Sequence, residues 1–410
     1  MSATTPSPEA NLAAAPAEVQ AETRQAPYPV LATPVRPRSA PLVLGILGIV
    51  VASLALVAVG VLFLIWLGPG FTAFGAVLAL IPLAVVLMGV RWIDRWEPEP
   101  RGLLIFAFLW GAGMAVAAAL IVGLTIESSL PVDAAESAAY DFASSVVVAP
   151  IVEETAKGFG VLLIFLLARR AFDGPVDGVV YAAVVAGGFA FTENIEYFAL
   201  ELSDPSGSIS SVFFIRGILS PFAHVMFTAM TGLFIGLAAQ RGGRWLGFGG
   251  FLVGLVPAIL LHALWNGALY VVDDFFGYYF LVQVPLFALA VILVVSLRRR
   301  EVAITRARLS EYAAAGWFNA GELQSLTTPA GRRLARGWAR AHGLGKVMSR
   351  YISDATHLAF ARERIIRGRD LIGAQADEAA LLARVTESRR ALAAAIAAAP
   401  GTRAAAATTV

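Results

Sequence analysis

Long apolar stretches dominate the chain after residue 41, and each is close to the roughly 20 residues that a helix needs to cross a bilayer. Helices satisfy their own backbone hydrogen bonds over such lengths in lipid. The pattern therefore predicts an all-α, polytopic helical membrane protein with eight transmembrane helices. They cover about 42–67, 71–90, 102–125, 143–168, 178–202, 211–239, 246–270 and 277–297.

Polar sequence lies on both sides of this apolar region. Residues 1–41 are rich in Ala, Pro, Ser and Thr and show no apolar period, which predicts a disordered tail. Residues 298–410 carry Ala, Leu, Arg and Glu at helical spacing, which predicts a helical region with a disordered, Ala-rich end from Ala393 on. The sequence thus predicts three parts: 1–41, the eight-span domain 42–297, and 298–410.

Arginine marks alternate loops, and the remaining loops are acidic or neutral. The positive-inside rule then places both termini in the cytoplasm. Ala- and Arg-rich, Lys-poor usage indicates a high-GC bacterium, so the expected location is the bacterial cytoplasmic (inner) membrane as a multi-pass protein. The arginine-bearing loops contain Arg36, Arg38, Arg91, Arg95, Arg101, Arg169, Arg170, Arg241, Arg244 and Arg298–Arg300.

Composition agrees with a membrane protein and excludes several chemistries. Hydrophobic residues make up 58% of the chain and charged residues 15%, against about a quarter charged in soluble domains. The absence of cysteine excludes disulfides, iron–sulfur sites and a thiol nucleophile. From residue 298 on there are 19 basic and 9 acidic residues. These arginines are scattered among acids without a known motif, so the lipid bilayer is an expected partner and nucleic acid is not.

Ionisable residues inside the fourth to seventh predicted spans are the main functional signal, because such residues are costly in lipid and usually mark function. At 1.5 Å per residue, their helices place them roughly 14 to 20 Å from the outer ends, in one layer near the middle of the membrane. Arg216, nearer the outer end of its span, is expected to snorkel to the headgroups. The members of the layer are Glu153, Glu193, His224 and His262, and Glu154, Lys157 and Asn266 are further polar residues of the same spans.

These residue types suit hydrolysis inside a membrane. Two imidazoles and a carboxylate can hold a catalytic zinc ion with an open position. A second carboxylate can take a proton from water, and an asparagine amide can donate to an oxyanion. Glutamate and histidine chains also carry protons in transporters. A proton-coupled transporter and a catalytically inactive scaffold therefore remain open alternatives.

Four motifs follow in order on successive predicted spans. They are Glu153-Glu154-Thr155-Ala156-Lys157, Phe189-Ala190-Phe191-Thr192-Glu193-Asn194, His224 to Thr228, and His262 to Asn266. Asp94-Arg95-Trp96-Glu97-Pro98-Glu99-Pro100 precedes them. Over roughly residues 91–270 the chain resembles the PrsW family of intramembrane proteases, a branch of the group that includes the CAAX prenyl endopeptidases.

The resemblance implies a metalloprotease that carries out intramembrane proteolysis of membrane-anchored protein substrates, such as an anti-sigma factor in a signalling pathway. Carried over to this chain, Glu153 and Glu154 are catalytic carboxylates, and either could be the base. His224 and His262, with Glu193, would hold a divalent metal, zinc by expectation. Asn266 would support the oxyanion.

Overall fold

A computed structural model describes residues 39–369 and 371–398, and all regular secondary structure in those ranges is helical. This confirms the predicted all-α class. The predicted tail lies outside the described residues except for its last three, 39–41, which belong to the first helix. The chain divides into two compact units, one ending at Leu297 and the other beginning at Arg298.

The first unit consists of helices joined by short loops. Several helices continue into one another through π-helical segments, which carry one more residue per turn than their flanks. The π-helical segments are Trp110–Ala115, Ser144–Val148, Phe214–Leu219 and Tyr279–Gln283. The helices are α1 (Ser39–Trp66), α2 (Pro69–Ile93), α3 (Arg101–Leu109), α4 (Val116–Ser128), α5 (Val132–Ala135), α6 (Ala138–Ala143), α7 (Ala149–Leu167), α8 (Pro175–Ser203), α9 (Ile209–Phe213), α10 (Ala223–Ala239), α11 (Arg244–Val271), α12 (Phe275–Tyr278) and α13 (Val284–Ala314), the last of which continues past Arg298.

Seven helical stretches in the described part of the chain are long and apolar enough to cross a membrane. The fourth predicted span, 143–168, is not among them. Its helix α7 has 19 residues, but it carries Glu153, Glu154 and Lys157, so charge rather than length sets it apart. The seven stretches are Val43–Trp66, Pro69–Ile93, Arg101–Ser128, Pro175–Ser203, Ile209–Ala239, Arg244–Val271 and Phe275–Ala314.

Helix α8 lies at the centre of the first unit, with 89% of its most apolar window buried. It packs against α2, α3, α7 and α10. Glycines bring the backbones together: a Cβ atom on Gly178 would lie 2.0 Å from the Gly232 carbonyl oxygen of α10. A Cβ on Gly188 would lie 2.3 Å from the Phe108 carbonyl oxygen. Such close crossings fix the positions of polar groups on the helices concerned.

The second unit contains the end of α13 and four further helices, α14 (Ala320–Thr327), α15 (Pro329–Ala341), α16 (Gly345–Ile366) and α17 (Leu371–Ala398). Its core includes Leu309, Tyr351, Leu358, Leu381 and Leu392. Asn319 and Glu322 form a capping box at the start of α14.

The predicted disordered end is shorter than expected. Helix α17 runs to Ala398, so residues 393–398 are helical. Alanine is the strongest helix former, and an Ala-rich end can extend a helix that is already packed. The remainder of that prediction, 399–410, lies outside the described residues.

Candidate active site

Helix α7 supplies two carboxylates and a lysine to the interior of the first unit. The Lys157 Nζ atom lies 3.0 Å from Glu153 Oε2 and 2.9 Å from Glu154 Oε1. Glu154 and Lys157 are fully buried, and Glu153 is 8% exposed. Glu153 and Lys157 share a face, as their i,i+4 spacing predicts. Glu154, which has no obvious partner in the sequence, also bonds to Lys157 because i,i+3 places it within reach.

The third partner of Lys157 comes from another helix. His224 Nδ1, at the start of α10, lies 3.1 Å from Lys157 Nζ. The ammonium also sits over the Phe189 ring, 3.7 Å from its centroid. An ammonium has three N–H donors, so Glu153, Glu154 and His224 use all of them. Lys157 is therefore the centre of the cluster and neutralises part of its negative charge.

The same contacts define the protonation of His224. An ammonium can only donate, so Nδ1 of His224 accepts a hydrogen bond. The other ring nitrogen, Nε2, lies 2.8 Å from Glu193 Oε2 of α8. Nε2 then carries the proton and donates it to that carboxylate, which fixes a neutral imidazole in one tautomer.

Arg216 lies in the π-helical segment Phe214–Leu219 and faces the interior. Its guanidinium pairs with Glu193, donates from Nε to Asn194 Oδ1 at 2.8 Å, and lies 3.9 Å from the Tyr197 ring centroid. The expectation that Arg216 snorkels to the headgroups is therefore wrong for this structure. Glu193 provides a carboxylate inside the unit, and a charge held away from water is tolerated when it is paired and hydrogen-bonded.

His262 of α11 holds the second α7 carboxylate. Its Nδ1 lies 3.1 Å from Glu154 Oε1, and its Nε2 lies 3.9 Å from Glu153 Oε2. Thr228 Oγ1 of α10 donates to Glu154 Oε2 at 2.7 Å. The Phe227 ring stacks on His262 with a centroid separation of 5.0 Å. Both Glu154 oxygens are thus engaged, and His262 is held from two sides.

Asn266, one turn after His262, contacts the backbone near the start of α7. Its Nδ2 donates to the Ser145 carbonyl oxygen at 2.8 Å, within the π-helical segment Ser144–Val148. Tyr270 Oη also contacts Ser145, at 3.0 Å from its Oγ. In this structure Asn266 therefore joins α11 to the segment that leads into α7.

Glu153, His224 and His262 could together hold a metal ion, because each offers a ligand atom within 4.8 Å of the others. A carboxylate with two imidazoles is a donor set of catalytic zinc sites, so the residues fit the ion by their chemistry. Lys157 contacts two of the three residues and must yield those contacts to a metal. Glu193, which the sequence placed among the ligands, lies outside this group and contacts His224 instead.

The sequence predicts which helices contribute to the cluster, but it did not reveal that Arg216 pairs with Glu193 or that Thr228 bonds to Glu154. Arg216 lies eight residues before His224 and so shares its helical face, which was the available signal for an inward orientation. Thr228 stood out only as the i+4 neighbour of His224, whereas the structure gives it a direct bond to Glu154.

Known proteins match the part of the chain that carries this site. The PrsW family intramembrane metalloprotease model matches residues 99–290. Protease PrsW of Clostridioides difficile (strain 630) is 31% identical over 194 residues, covering 46% of this chain and 76% of that protein. Protease PrsW of Geobacillus kaustophilus (strain HTA426) is 28% identical over 209 residues, covering 50% of this chain and 84% of the relative. No solved structure matches the chain significantly. The matched region contains every residue of the cluster, and the chain belongs to the PrsW family of intramembrane metalloproteases.

Proposed function

We propose that this protein is an intramembrane endopeptidase that cleaves membrane-anchored protein substrates, with Glu153 as the carboxylate that takes a proton from water. The observation that carries the proposal is the convergence of α7, α8, α10 and α11 on one polar cluster. Family membership favours this activity over the proton-coupled transporter.

The choice between the two α7 carboxylates follows from their contacts. Both oxygens of Glu154 accept hydrogen bonds, from Lys157 and Thr228, and His262 lies beside Oε1. Within the described residues Glu153 is bonded through Oε2 alone, and it retains some exposure. Glu153 therefore has an oxygen available for a water proton, whereas Glu154 positions Lys157 and His262.

In each histidine, one ring nitrogen contacts a carboxylate and the other ring nitrogen faces the cluster. Glu193 contacts Nε2 of His224, and Glu154 contacts Nδ1 of His262. Carboxylates commonly orient metal-binding imidazoles in this way. We therefore assign Glu193 the role of orienting His224, in place of the ligand role expected from the sequence.

His224, His262 and one carboxylate oxygen of Glu153 would hold the divalent metal, which we take to be zinc from their donor chemistry, and the second Glu153 oxygen would remain for the water proton. When bound, such an ion acts as a Lewis acid toward the scissile carbonyl. Metal content of purified wild type and of His262→Ala, measured by mass spectrometry, tests this assignment independently of cleavage. Equal metal content in both proteins would contradict it.

We place the protein in the bacterial cytoplasmic membrane with both termini inside, and we propose a membrane-anchored regulator of the anti-sigma type as its substrate. Cleavage of such a regulator would link proteolysis to signalling. The arginine-bearing loops support the orientation.

The decisive experiment compares new protein termini in membranes from cells that overproduce wild type or Glu153→Gln at equal levels. New termini within or beside transmembrane segments are expected only with wild type. Glu127→Gln, which changes an exposed glutamate at the end of α4, is the matched control and should retain cleavage. Cleavage by Glu153→Gln at the wild-type rate would overturn the proposal and favour the scaffold or transporter.

A further inference from the structure

Several arginines of the second unit form ion pairs within it. Carboxylates neutralise arginines on α13, α16 and α17. Arg308 lies 2.8 Å from Glu363, and Arg364 lies 3.1 Å from Asp377. The further pairs are Arg384 with Asp354 and Arg389 with Glu322. These arginines stabilise contacts within the unit.

The region between Glu322 and Asp354 is different. It contains six basic residues and no acidic residue: Arg332, Arg333, Arg336, Arg340, Lys346 and Arg350. Arg332 is buried and donates to the Leu326 carbonyl and to Thr356 Oγ1. Four others, Arg333, Arg340, Lys346 and Arg350, are exposed and have no ion-pair partner in the part of the chain that the structure describes.

Helix α15 presents part of this charge on one face. Arg332, Ala335 and Ala339 are buried against the unit. The opposite side, which we name the basic face, contains Arg333, Leu334, Gly337 and Arg340, all exposed and spaced to share one side of the helix. Leu334 is 66% exposed and lies at one edge of this face, next to Arg333 in the chain.

Exposed arginines with an exposed leucine beside them suit a helix that lies against an anionic membrane surface. The arginines attract anionic headgroups, and the leucine reaches the acyl boundary. Helix α13 begins in the first unit and ends in the second, and it belongs to Phe275–Ala314, a stretch apolar enough to cross a membrane. Covalent attachment to such a stretch gives the second unit a high effective concentration of lipid.

We propose that the basic face of α15 docks on the surface of a bilayer that contains anionic phospholipids, and that Lys346 and Arg350 add to the attraction. Lipid fits this face better than nucleic acid because phosphate backbones offer no apolar layer to receive Leu334. The contact does not depend on the proteolytic activity and is measured without it.

The natural absence of cysteine allows a clean test, because a single introduced thiol is the only site for labelling. Full-length Leu334→Cys, labelled with the environment-sensitive dye NBD, is placed in nanodiscs of phosphatidylcholine alone or mixed with phosphatidylglycerol. The dye emission should shift to the blue with phosphatidylglycerol and return in 1 M salt, where the Debye length is only about 3 Å. Ala383→Cys, exposed on α17, is the control and should give one emission wavelength in both lipids.

Charge reversal by Arg333→Glu with Arg340→Glu should abolish the shift. The neutral pair Arg333→Gln with Arg340→Gln should reduce it and serves as the second test if charge reversal impairs folding. Equal emission in the two lipids, or a shift that survives both pairs of substitutions, would overturn the proposal. Binding of a single-stranded RNA oligonucleotide that is lost with the same substitutions, without a lipid-dependent shift, would overturn it in favour of nucleic acid.

Discussion

Lys157 determines which charges the cluster can tolerate. It contacts Glu153, Glu154 and His224, and it has no exposed surface. Two buried carboxylates without a counter-charge would be strongly unfavourable. The lysine therefore supplies the positive charge that offsets part of the negative charge of this pair.

Arg216 has the corresponding role for Glu193. Because it bonds both Glu193 and Asn194, its removal should free the carboxylate that orients His224. We expect Arg216→Gln to lower cleavage by about 10- to 100-fold, the range seen when such orienting partners are lost. Arg216→Lys should recover part of the activity.

The rate of formation of the new termini, at matched protein levels, measures this effect. Arg241→Gln removes an exposed arginine outside the cluster and should cleave like wild type. Unchanged cleavage by Arg216→Gln would show that Glu193 does not need Arg216 to hold it in position beside His224.

The sequence could predict the depth of these residues but not their partners. Helical rise fixes how far Glu193 and His262 lie along their axes. Rotation about each axis and rotamer choice depend on packing between helices, which one sequence does not specify. For that reason the layer is recovered from the sequence, whereas the contact of Asn266 with the Ser145 carbonyl is not.

At the level of elements, the crossing of α8 and α10 holds Glu193 and His224 at their observed separation. A methyl group on Gly178 would lie 2.0 Å from the Gly232 carbonyl oxygen, so Gly178→Ala must push the two helices apart. Overpacking of this kind costs about 1–3 kcal/mol. We expect a lower melting temperature and a smaller folded fraction in detergent.

Fluorescence-detected size-exclusion chromatography after heating measures both quantities. Gly123→Ala in α4 is the matched control, because nothing lies within 4 Å of its added Cβ. Equal melting temperatures for the two variants would contradict the close crossing.

The loop between α2 and α3 contains buried carboxyl groups. Asp94 Oδ1 accepts a hydrogen bond from the Glu99 backbone N–H at 2.9 Å, and the Glu99 carboxylate accepts one from Tyr181 Oη. Burial raises the pKa of Asp94 to about 6 and raises the pKa of Glu99 well above its usual value. The folded protein therefore holds these protons more tightly than the unfolded chain does.

A raised carboxyl pKa favours the folded state at low pH, and that contribution is lost as the pH rises from about 4 through about 6. Asp94→Asn keeps an oxygen acceptor for Glu99 but cannot ionise. It should raise the melting temperature relative to wild type by a few degrees at pH 8 and by less at pH 5. Thermal unfolding at both pH values tests this, and an equal effect at the two values would argue against titration of Asp94.

Hydrophobic periodicity recovered the long helices well because length and apolar content are visible in the sequence. It did not reveal the π-helical segments. A π turn adds one residue to an apolar helix without changing its apolar composition, so the sequence composition does not reveal where the π turn lies.

At the scale of the whole molecule, the membrane topology depends on whether α7 crosses the bilayer. Its three charged residues exclude it from the seven clearly apolar stretches, whereas the alternation of arginine-bearing loops predicts that it crosses the membrane. The loops on the two sides of such a crossing must face opposite compartments.

Single-cysteine labelling tests this directly. Ser129→Cys precedes α7, and Arg241→Cys follows α7, α8 and α10; both positions are exposed. We expect an impermeant maleimide to label only Ser129→Cys in intact cells and both variants after permeabilisation. Labelling of both in intact cells would place the two loops on one side and exclude a crossing by α7.

The division at residue 297/298 coincides with the end of the apolar pattern, since charge and hydropathy change together there. The fold within the second unit is less accessible to sequence reasoning. Its pairing of Arg389 with Glu322 and of Arg384 with Asp354 joins residues far apart in the chain, and helical spacing alone does not select such partners.

The π-helical segment Ser144–Val148 also affects how this protein can vary in length. A π turn is an α-helix with one residue inserted, so deletion of the exposed Val147 would restore an ordinary turn and keep the phase of α7. The same deletion between Glu153 and Lys157 would rotate every later residue by about 100° and carry Lys157 away from Glu153. A single-residue deletion should therefore be tolerated by the fold at this segment. What a deletion there would remove is the Ser145 carbonyl presented to Asn266, so the protein would keep its shape and lose one of the ties between α11 and the carboxylate helix.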